Sequence, residues 1–422
     1  MKICIIGAGS PYTPELIERL SEMQAVLPIS EIALMDINES RLDIMYGFCL
    51  RYAAHLGFEV KITKTMDQQR AISGADFVNT QIRVGGNEAR VRDERIPLSM
   101  GLIGQETTGA GGFIKALRTI PVMLDIAKDV EKLTSGAWII NYTNPTGIVA
   151  EAVMKHSKAK IAGLCAGGLF PQHWVAAVVE GIIPGDVRYD FAGLNHMNFA
   201  YNITVKGKPL TEEAFALAAS QVGSVEKDLI LKLDALPSPY LQYYFHTAKR
   251  TKELMEVPKT RGEEVIALEK ELFRDFADTS IHTKPESLKK RGGGGYSDVA
   301  CMVMDALYNN RDTWAVVNTA NQGIFPFLPD DAVIEVPSLV NRAGITPVAQ
   351  GKPPHTVVGL VGAVKNYESL TVQAAVTGCR DTALLALLAH PLVGDYDVAK
   401  PLLDKLLEAN KAFLPQFWSD VL

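Results

Sequence analysis

Cys165 and His196 sit near the two ends of a stretch that opens GLCAGG at residue 163 and closes GLNHMN at residue 198. Each follows a short apolar run, residues 161–164 and 191–194, of the kind that forms a buried strand, so both side chains are expected where strands emerge into one cleft. A thiolate and an imidazole converging there hold one soft or borderline divalent ion. Two protein ligands leave coordination positions open for a substrate's oxygens. The competing reading makes Cys165 a small core hydrophobe and His196 a hydrogen-bonded interior histidine.

The elements that would position this pair begin at the N-terminus. Residues 2–6 form an apolar strand, Gly7-Ala8-Gly9-Ser10 a turn, and residues 14–20 the start of a helix. In that context two glycines let the backbone approach a pyrophosphate, which rests on the helix N-terminus. Tyr12 stands where the usual fingerprint has its third glycine. A second strand, EIALMD at 31–36, ends in Asp36, a carboxylate suited to the adenosine ribose hydroxyls and to NAD rather than NADP. Gly7, Gly9, Ser10 and Asp36 are therefore the expected cofactor residues. The alternative is an ordinary strand–helix turn.

Helix at 41–56 and strands at 60–63 and 76–80 follow. The run QIRVGGNEARVRDERIPL carries Arg83, Arg90, Arg92 and Arg95. It reads either as a solvated helix face or, from the Gly85-Gly86 break, as a loop whose arginines grip an anion. A glycine-rich turn leads into a long amphipathic helix, then a strand at 137–142 enters the turn NYTNPTG. Asn141 and Asn144 are expected either to face nicotinamide or substrate, or to serve turn chemistry alone. Beyond His196 come a strand at 197–207, helix over 211–236, tyrosines at 240, 243 and 244, and a helix at 259–276 containing Arg261. Four glycines at 292–295, preceded by Arg291, either close over the site or form an exposed loop. Strand-like residues around 316–337 precede a helical tail over 381–421.

The 422 residues suffice for two domains or one elaborated α/β domain. A net charge of −6, from 42 basic against 48 acidic residues, argues against a nucleic-acid partner. No segment approaches the roughly 18 uncharged apolar residues that span a bilayer, so no membrane partner is expected. Five scattered cysteines without a CxxC, and an N-terminus unlike a signal peptide, point to a reducing cytoplasm.

The motifs together resemble the family 4 glycosidases, the NAD- and metal-dependent glycoside hydrolases, and within them the 6-phospho-β-glucosidases. GAGS at 7–10, QIRVGG at 81–86, GLIGQETTG at 101–109, NYTNPTG at 141–147, Cys165 in its GLC setting, GLNH at 193–196, the Tyr240 region, KRGG at 290–293 and DDAVIEVP at 330–337 carry the resemblance across nearly the whole chain. It implies an α/β chain: a Rossmann-type NAD-binding domain, residues 1–165, followed by an α/β catalytic domain of lactate/malate dehydrogenase-like type, residues 166–422. It also implies NAD and Mn²⁺ or another divalent metal as cofactors, with Cys165 and His196 as metal ligands and Tyr240 as catalytic base, Tyr243 lying one turn away. Arg83, Asn144, Arg261 and Arg291, with Arg90 beside them, fall at or near the phosphosugar, and a homodimer or homotetramer is expected.

The implied reaction oxidises sugar C3 with NAD⁺, which acidifies the C2 proton for Tyr240 to remove. Elimination of the aglycone and addition of water follow, with no net redox. In the related phospho-β-glucosidases Asn-Val-Pro follows the cysteine, and in the phospho-α-glucosidases Asp-x-Pro. This chain has Ala166-Gly167-Gly168, which offers neither amide nor carboxylate and leaves sugar and anomeric preference open. Two other functions compete: a 2-hydroxy-acid dehydrogenase on the same scaffold, and an inactive NAD-binding sensor.

Overall fold

The computed structural model describes residues 1–291 and 294–418. Apolar strands and amphipathic helices alternate through the first 163 residues, and the strands pair side by side in one sheet. From the far edge inward they run Lys61–Thr65, Glu31–Met35, Lys2–Ile6, Phe77–Thr80, Trp138–Asn141 and Lys160–Gly163, all parallel. This is the doubly wound dinucleotide-binding order, and its switch point lies between Lys2–Ile6 and Phe77–Thr80, where ligands bind. Apart from the edge strand Lys61–Thr65, in which only Ile62 is buried, their near-continuous burial reflects helices on both faces.

Three strands from late in the chain extend this sheet antiparallel: Thr313–Ala320, Val333–Asn341 and Gly344–Pro347. Strands on both sides of residue 165 therefore share one sheet. A smaller sheet is built on the hairpin Val187–Leu194 and Met197–Val205, with Leu236–Pro237 and Lys208–Pro209 alongside. It packs with the long helices Gly109–Leu133 and His355–Thr377 into one apolar core. Among the described residues no helix is long and apolar enough to cross a membrane.

Most elements lie where the sequence places them, but the strand-like residues around 316–337 are two strands, Thr313–Ala320 and Val333–Asn341, joined by residues 321–332. The expected helix at 211–236 is two helices, Glu212–Val222 and Lys227–Leu233, separated at Gly223, whose φ of 68° ends the first. The tail resolves into Arg380–Ala389 and Tyr396–Ala409, and the expectation for residues 419–421 lies outside the described residues.

Glu151, on helix Thr146–His156, locks the two portions together. Its buried carboxylate accepts from Lys365 Nζ at 2.7 Å, Lys155 Nζ at 2.9 Å, Ser369 Oγ at 2.6 Å and the Val333 amide at 3.1 Å. Burial alone would raise its pKa; Lys365 and the other donors outweigh that and hold it at about 2. Glu151→Ala is expected to cost about 3–5 kcal/mol in urea unfolding, because it leaves Lys365 buried with one partner fewer. Since the folded pKa lies below the ordinary 4.5, this stabilisation is full above pH 4.5 and is lost as pH falls toward 2.

Candidate active site

At the switch point the chain turns so tightly that Gly7 has a φ of 87°, and a Cβ there would stand 2.8 Å from Gln81 O. Only glycine fits, and its missing side chain leaves bare backbone facing the cleft. Beyond it Ser10 leads to the helix Thr13–Glu22. Asp36 ends the second strand and turns back over the turn, Oδ2 accepting from Gly9 N at 2.8 Å and Oδ1 from Asn38 N at 2.9 Å. Arg41 Nε bonds Gly9 O at 3.0 Å from the next helix. This cradle has the form that a dinucleotide's pyrophosphate and ribose require.

The cleft continues from there to the second sheet as one cavity of about 1470 Å³, larger than a single small-ligand pocket. Gly7, Gly9, Ser10, Asp36, Arg83, Arg90, Asn144, Cys165, His196, Tyr240, Arg261 and Arg291 all line it. Asn141 does not. Its Oδ1 accepts from Thr80 Oγ1 at 2.8 Å and from Thr143 N at 3.1 Å, and its Nδ2 donates to Thr143 O at 3.1 Å. Its side chain is spent holding the turn, so the expectation that it faces the cofactor is corrected, while Asn144 does reach the cleft.

Cys165 caps a 3₁₀ turn, Ala166–Leu169, just after strand Lys160–Gly163, and its Sγ accepts from Gly167 N at 3.3 Å. The AGG sequence suits this turn: a side chain at Gly168 would strike Val316 at 2.6 Å, and Tyr189 Oη bonds its carbonyl. His196 occupies the hairpin turn with a φ of 65°. Its Nδ1 lies 3.0 Å from Thr107 Oγ1, which leaves Nε2 without a hydrogen-bond partner among the described residues. Burial lowers its pKa to about 3, so the ring is neutral near pH 7, and burial raises the Cys165 thiol to about 12.

Among the described residues no cluster of three or more His, Cys, Asp or Glu side chains forms. A thiol sulfur and a neutral imidazole with one nitrogen free nevertheless suit a divalent ion that completes its sphere with substrate oxygens. Tyr240 stacks on the His196 ring, centroids 3.8 Å apart and planes within 5°. Burial, with Cys165 and Glu106 nearby, raises its phenol pKa. Tyr243 also lines the cleft, 6.4 Å from Tyr240, but it makes no ring contact with His196.

The arginines divide. Gly85 and Gly86, both at positive φ, start a helix, Gly86–Leu98, so the expected anion loop is confined to Arg83 while Arg90, Arg92 and Arg95 stand on the helix. Arg95 pairs with Glu263 away from the cavity. Arg90 is committed to Glu94 and Glu106, and Arg261 to Glu264 and the carbonyls of Lys290 and Arg291. Arg83 engages Glu106 only through Nη1, and Arg291 engages Glu269 only through Nε, so both keep donors for an anion. Burial and the charge of Arg83 lower the Arg291 pKa against the pull of Glu269. Gly294 lines the cleft beside Arg291; Gly292 and Gly293 of the expected closing turn lie outside the described residues.

Several polar groups in and around the cleft are not singled out by the sequence as site residues, although Glu106 and Thr107 lie in the GLIGQETTG motif. Glu106 is the shared partner of Arg83, Arg90 and Lys115, whose charges outweigh its burial and hold its carboxyl well below the usual range. Thr107 orients His196, and Glu269 receives both Arg41 and Arg291.

The model of the family 4 glycosyl hydrolases matches residues 2–180, and that of their C-terminal domain matches residues 191–393. The chain belongs to glycosyl hydrolase family 4. A Bacillus subtilis (strain 168) family member named "Probable 6-phospho-beta-glucosidase" is 41% identical, over 100% of this chain and 99% of its own. The solved 6-phospho-beta glucosidase from Thermotoga maritima, with NAD and glucose-6-phosphate, superposes with a TM-score of 0.91 at 36% identity, covering 98% and 99% of the two chains. The same Thermotoga protein is also solved with manganese, NAD⁺ and glucose-6-phosphate, at a TM-score of 0.89 and 35% identity over 98% and 99%. A Plasmodium falciparum malate dehydrogenase shares the fold alone, with a TM-score of 0.54 at 15% identity over 91% and 99%.

For this family 4 chain, Asp36 makes a direct forecast about the cofactor. If Asp36 faces the adenosine ribose, as expected from the sequence, a 2′-phosphate there would meet a carboxylate already fixed by Gly9 and Asn38. Juxtaposed like charges cost a few kcal/mol, so calorimetry is expected to find NADP⁺ at least about tenfold weaker than NAD⁺. Asp36→Ala should narrow that gap.

Proposed function

We propose that this chain hydrolyses 6-phospho-β-glucosides, using NAD⁺ and a divalent metal such as Mn²⁺. The observation that carries this reading is that Cys165, His196 and Tyr240 converge in the same cleft that begins at the Gly7–Ser10 turn. Bound there, NAD⁺ and the metal supply reversible hydride exchange at sugar C3 and Lewis-acid polarisation of the neighbouring oxygens. The chain's residues do the rest. Cys165 Sγ and His196 Nε2 are the metal ligands in this reading, and Gly7, Gly9, Ser10 and Asp36 hold the dinucleotide. Tyr240 Oη takes the proton from C2, and the stack on His196 fixes the ring that carries it. Loss of the aglycone from C1, addition of water across C1 and C2 with a proton back at C2, and return of the hydride to C3 would complete the hydrolysis with no net redox.

Arg83 and Arg291 bind the 6-phosphate with their uncommitted donors, while Arg90 and Arg261 brace them and Asn144 lies at the sugar end. Ala166 has no side-chain group to hydrogen-bond the sugar, so in this reading recognition falls to the arginines and the metal. The five free cysteines, four of them buried, support residence in a reducing cytoplasm. Assembly as a homodimer or homotetramer belongs to the same proposal.

The test is a panel of p-nitrophenyl α- and β-glycosides, with and without a 6-phosphate, assayed with NAD⁺, Mn²⁺ and a reductant. The phosphate is expected to contribute roughly 2–4 kcal/mol, or about 30- to 1000-fold in kcat/KM, the scale of several charge-assisted hydrogen bonds. Equal turnover of the unphosphorylated β-glycoside would assign the arginines to another anion. Steady NADH accumulation with lactate or malate would mark a dehydrogenase, and tight NAD⁺ binding without turnover a sensor.

A further inference from the structure

Behind the wall that carries Cys165 and His196 lies Glu335, fully buried in strand Val333–Asn341 and without an ion pair among the described residues. Three asparagine amides donate to it instead. Asn198 Nδ2 reaches Oε2 at 2.5 Å, and Asn195 and Asn318 each reach Oε1 at 3.2 Å. Asn195 and Asn198 bracket His196 in the hairpin turn. Asn318 Nδ2 also donates to Gly163 O at 3.1 Å, two residues before Cys165. One carboxyl group thus joins the segment that presents the histidine to the segment that presents the cysteine.

This arrangement opposes two costs. A buried carboxyl group is unfavourable unless hydrogen-bonded, and the three amides meet that need. The positive φ of His196 is strained for a residue with a Cβ, and such backbone persists only where its surroundings over-determine it. Clamps on both sides of the turn do so. The outer partners of metal ligands commonly set the ligands' direction in this way.

We propose that Glu335 is a positioning residue that fixes the spacing and direction of Cys165 Sγ and His196 Nε2 for a divalent cation. It rests on the reading of those two residues as the metal ligands. Neither Glu335 nor its asparagines line the dinucleotide end of the cleft, so its effect is confined to the metal.

The test uses the full chain, stripped with a chelator and titrated with Mn²⁺, free ion being followed by electron paramagnetic resonance and NAD⁺ binding by calorimetry. Cys165→Ser first checks the ligand reading by losing Mn²⁺. Glu335→Gln is then expected to bind Mn²⁺ about 10- to 100-fold more weakly, the usual effect of removing an outer partner, with NAD⁺ affinity unchanged. Asn198→Ala and Asn318→Ala keep the carboxyl group and cut one link each; both are expected to weaken Mn²⁺, and they carry the test should Glu335→Gln fold poorly. Lower melting temperatures with wild-type Mn²⁺ affinity across these variants would make Glu335 a packing residue and overturn the proposal while leaving the ligand reading standing. Undiminished Mn²⁺ binding by Cys165→Ser would overturn the ligand reading and the proposal with it.

Discussion

Cys165→Ser and His196→Ala are each expected to lose bound Mn²⁺ and to lower turnover of a 6-phospho-β-glucoside by at least about 10³-fold, since Lewis-acid stabilisation contributes several kcal/mol. If these two are the protein ligands, as proposed above, there is no redundancy, and neither variant should keep partial occupancy. Folding should survive in both. Serine nearly matches cysteine in size, and Thr107, released from His196, still bonds Gln105 at 2.9 Å. His196→Ala also removes the stack under Tyr240, worth about 1 kcal/mol. Metal analysis beside a melting curve checks the pair. Full metal content in either variant would make that residue part of the packing only.

Tyr240→Phe is expected to lower turnover by about 10²–10⁴-fold, the range for a positioned general base. Phenylalanine keeps the ring that lies against His196 and removes only the hydroxyl, so Mn²⁺ and NAD⁺ should still bind. Oxidation at C3 needs the cofactors rather than this phenol, and enzyme-bound NADH should therefore build up in the variant. Single-turnover absorbance at 340 nm follows it. Near-normal turnover would reduce Tyr240 to a packing residue, and the same phenotype in Tyr243→Phe alone would move the base one turn along.

What the sequence disclosed depended on how local the signal was. The turn at Gly7 and Gly9 and the carboxylate at Asp36 lie within one strand–helix–strand unit, where spacing and backbone demand coincide. That Cys165 and His196 converge on one cleft was legible because each follows an apolar strand that ends there. Glu335 carried no such signal, since its partner Asn198 lies 137 residues away and only pairing of the two sheets brings them together. Thr107 meets His196 across 89 residues, and Arg41 meets Glu269 across 228.

Asn141 shows the opposite limit. An asparagine in a turn reads the same whether it faces a ligand or its own backbone, and here Thr80 and Thr143 took the side chain. Among the arginines, composition marked the cluster but could not separate Arg83 from Arg90. That difference arises from Glu94, one helical turn beyond Arg90, which takes its Nε while Glu106 takes its Nη1, whereas Arg83 gives Glu106 a single nitrogen.

In the proposed mechanism, cleavage proceeds through removal of the C2 proton by Tyr240. The direct measurement is hydrolysis of a 6-phospho-β-glucoside by the wild-type enzyme in D₂O, with NAD⁺ and Mn²⁺ present, and nuclear magnetic resonance of the recovered sugar phosphate. Deuterium at C2 is expected, with slower turnover of substrate deuterated at that carbon. Product that keeps all its C2 hydrogen, formed by active enzyme, would contradict that mechanism.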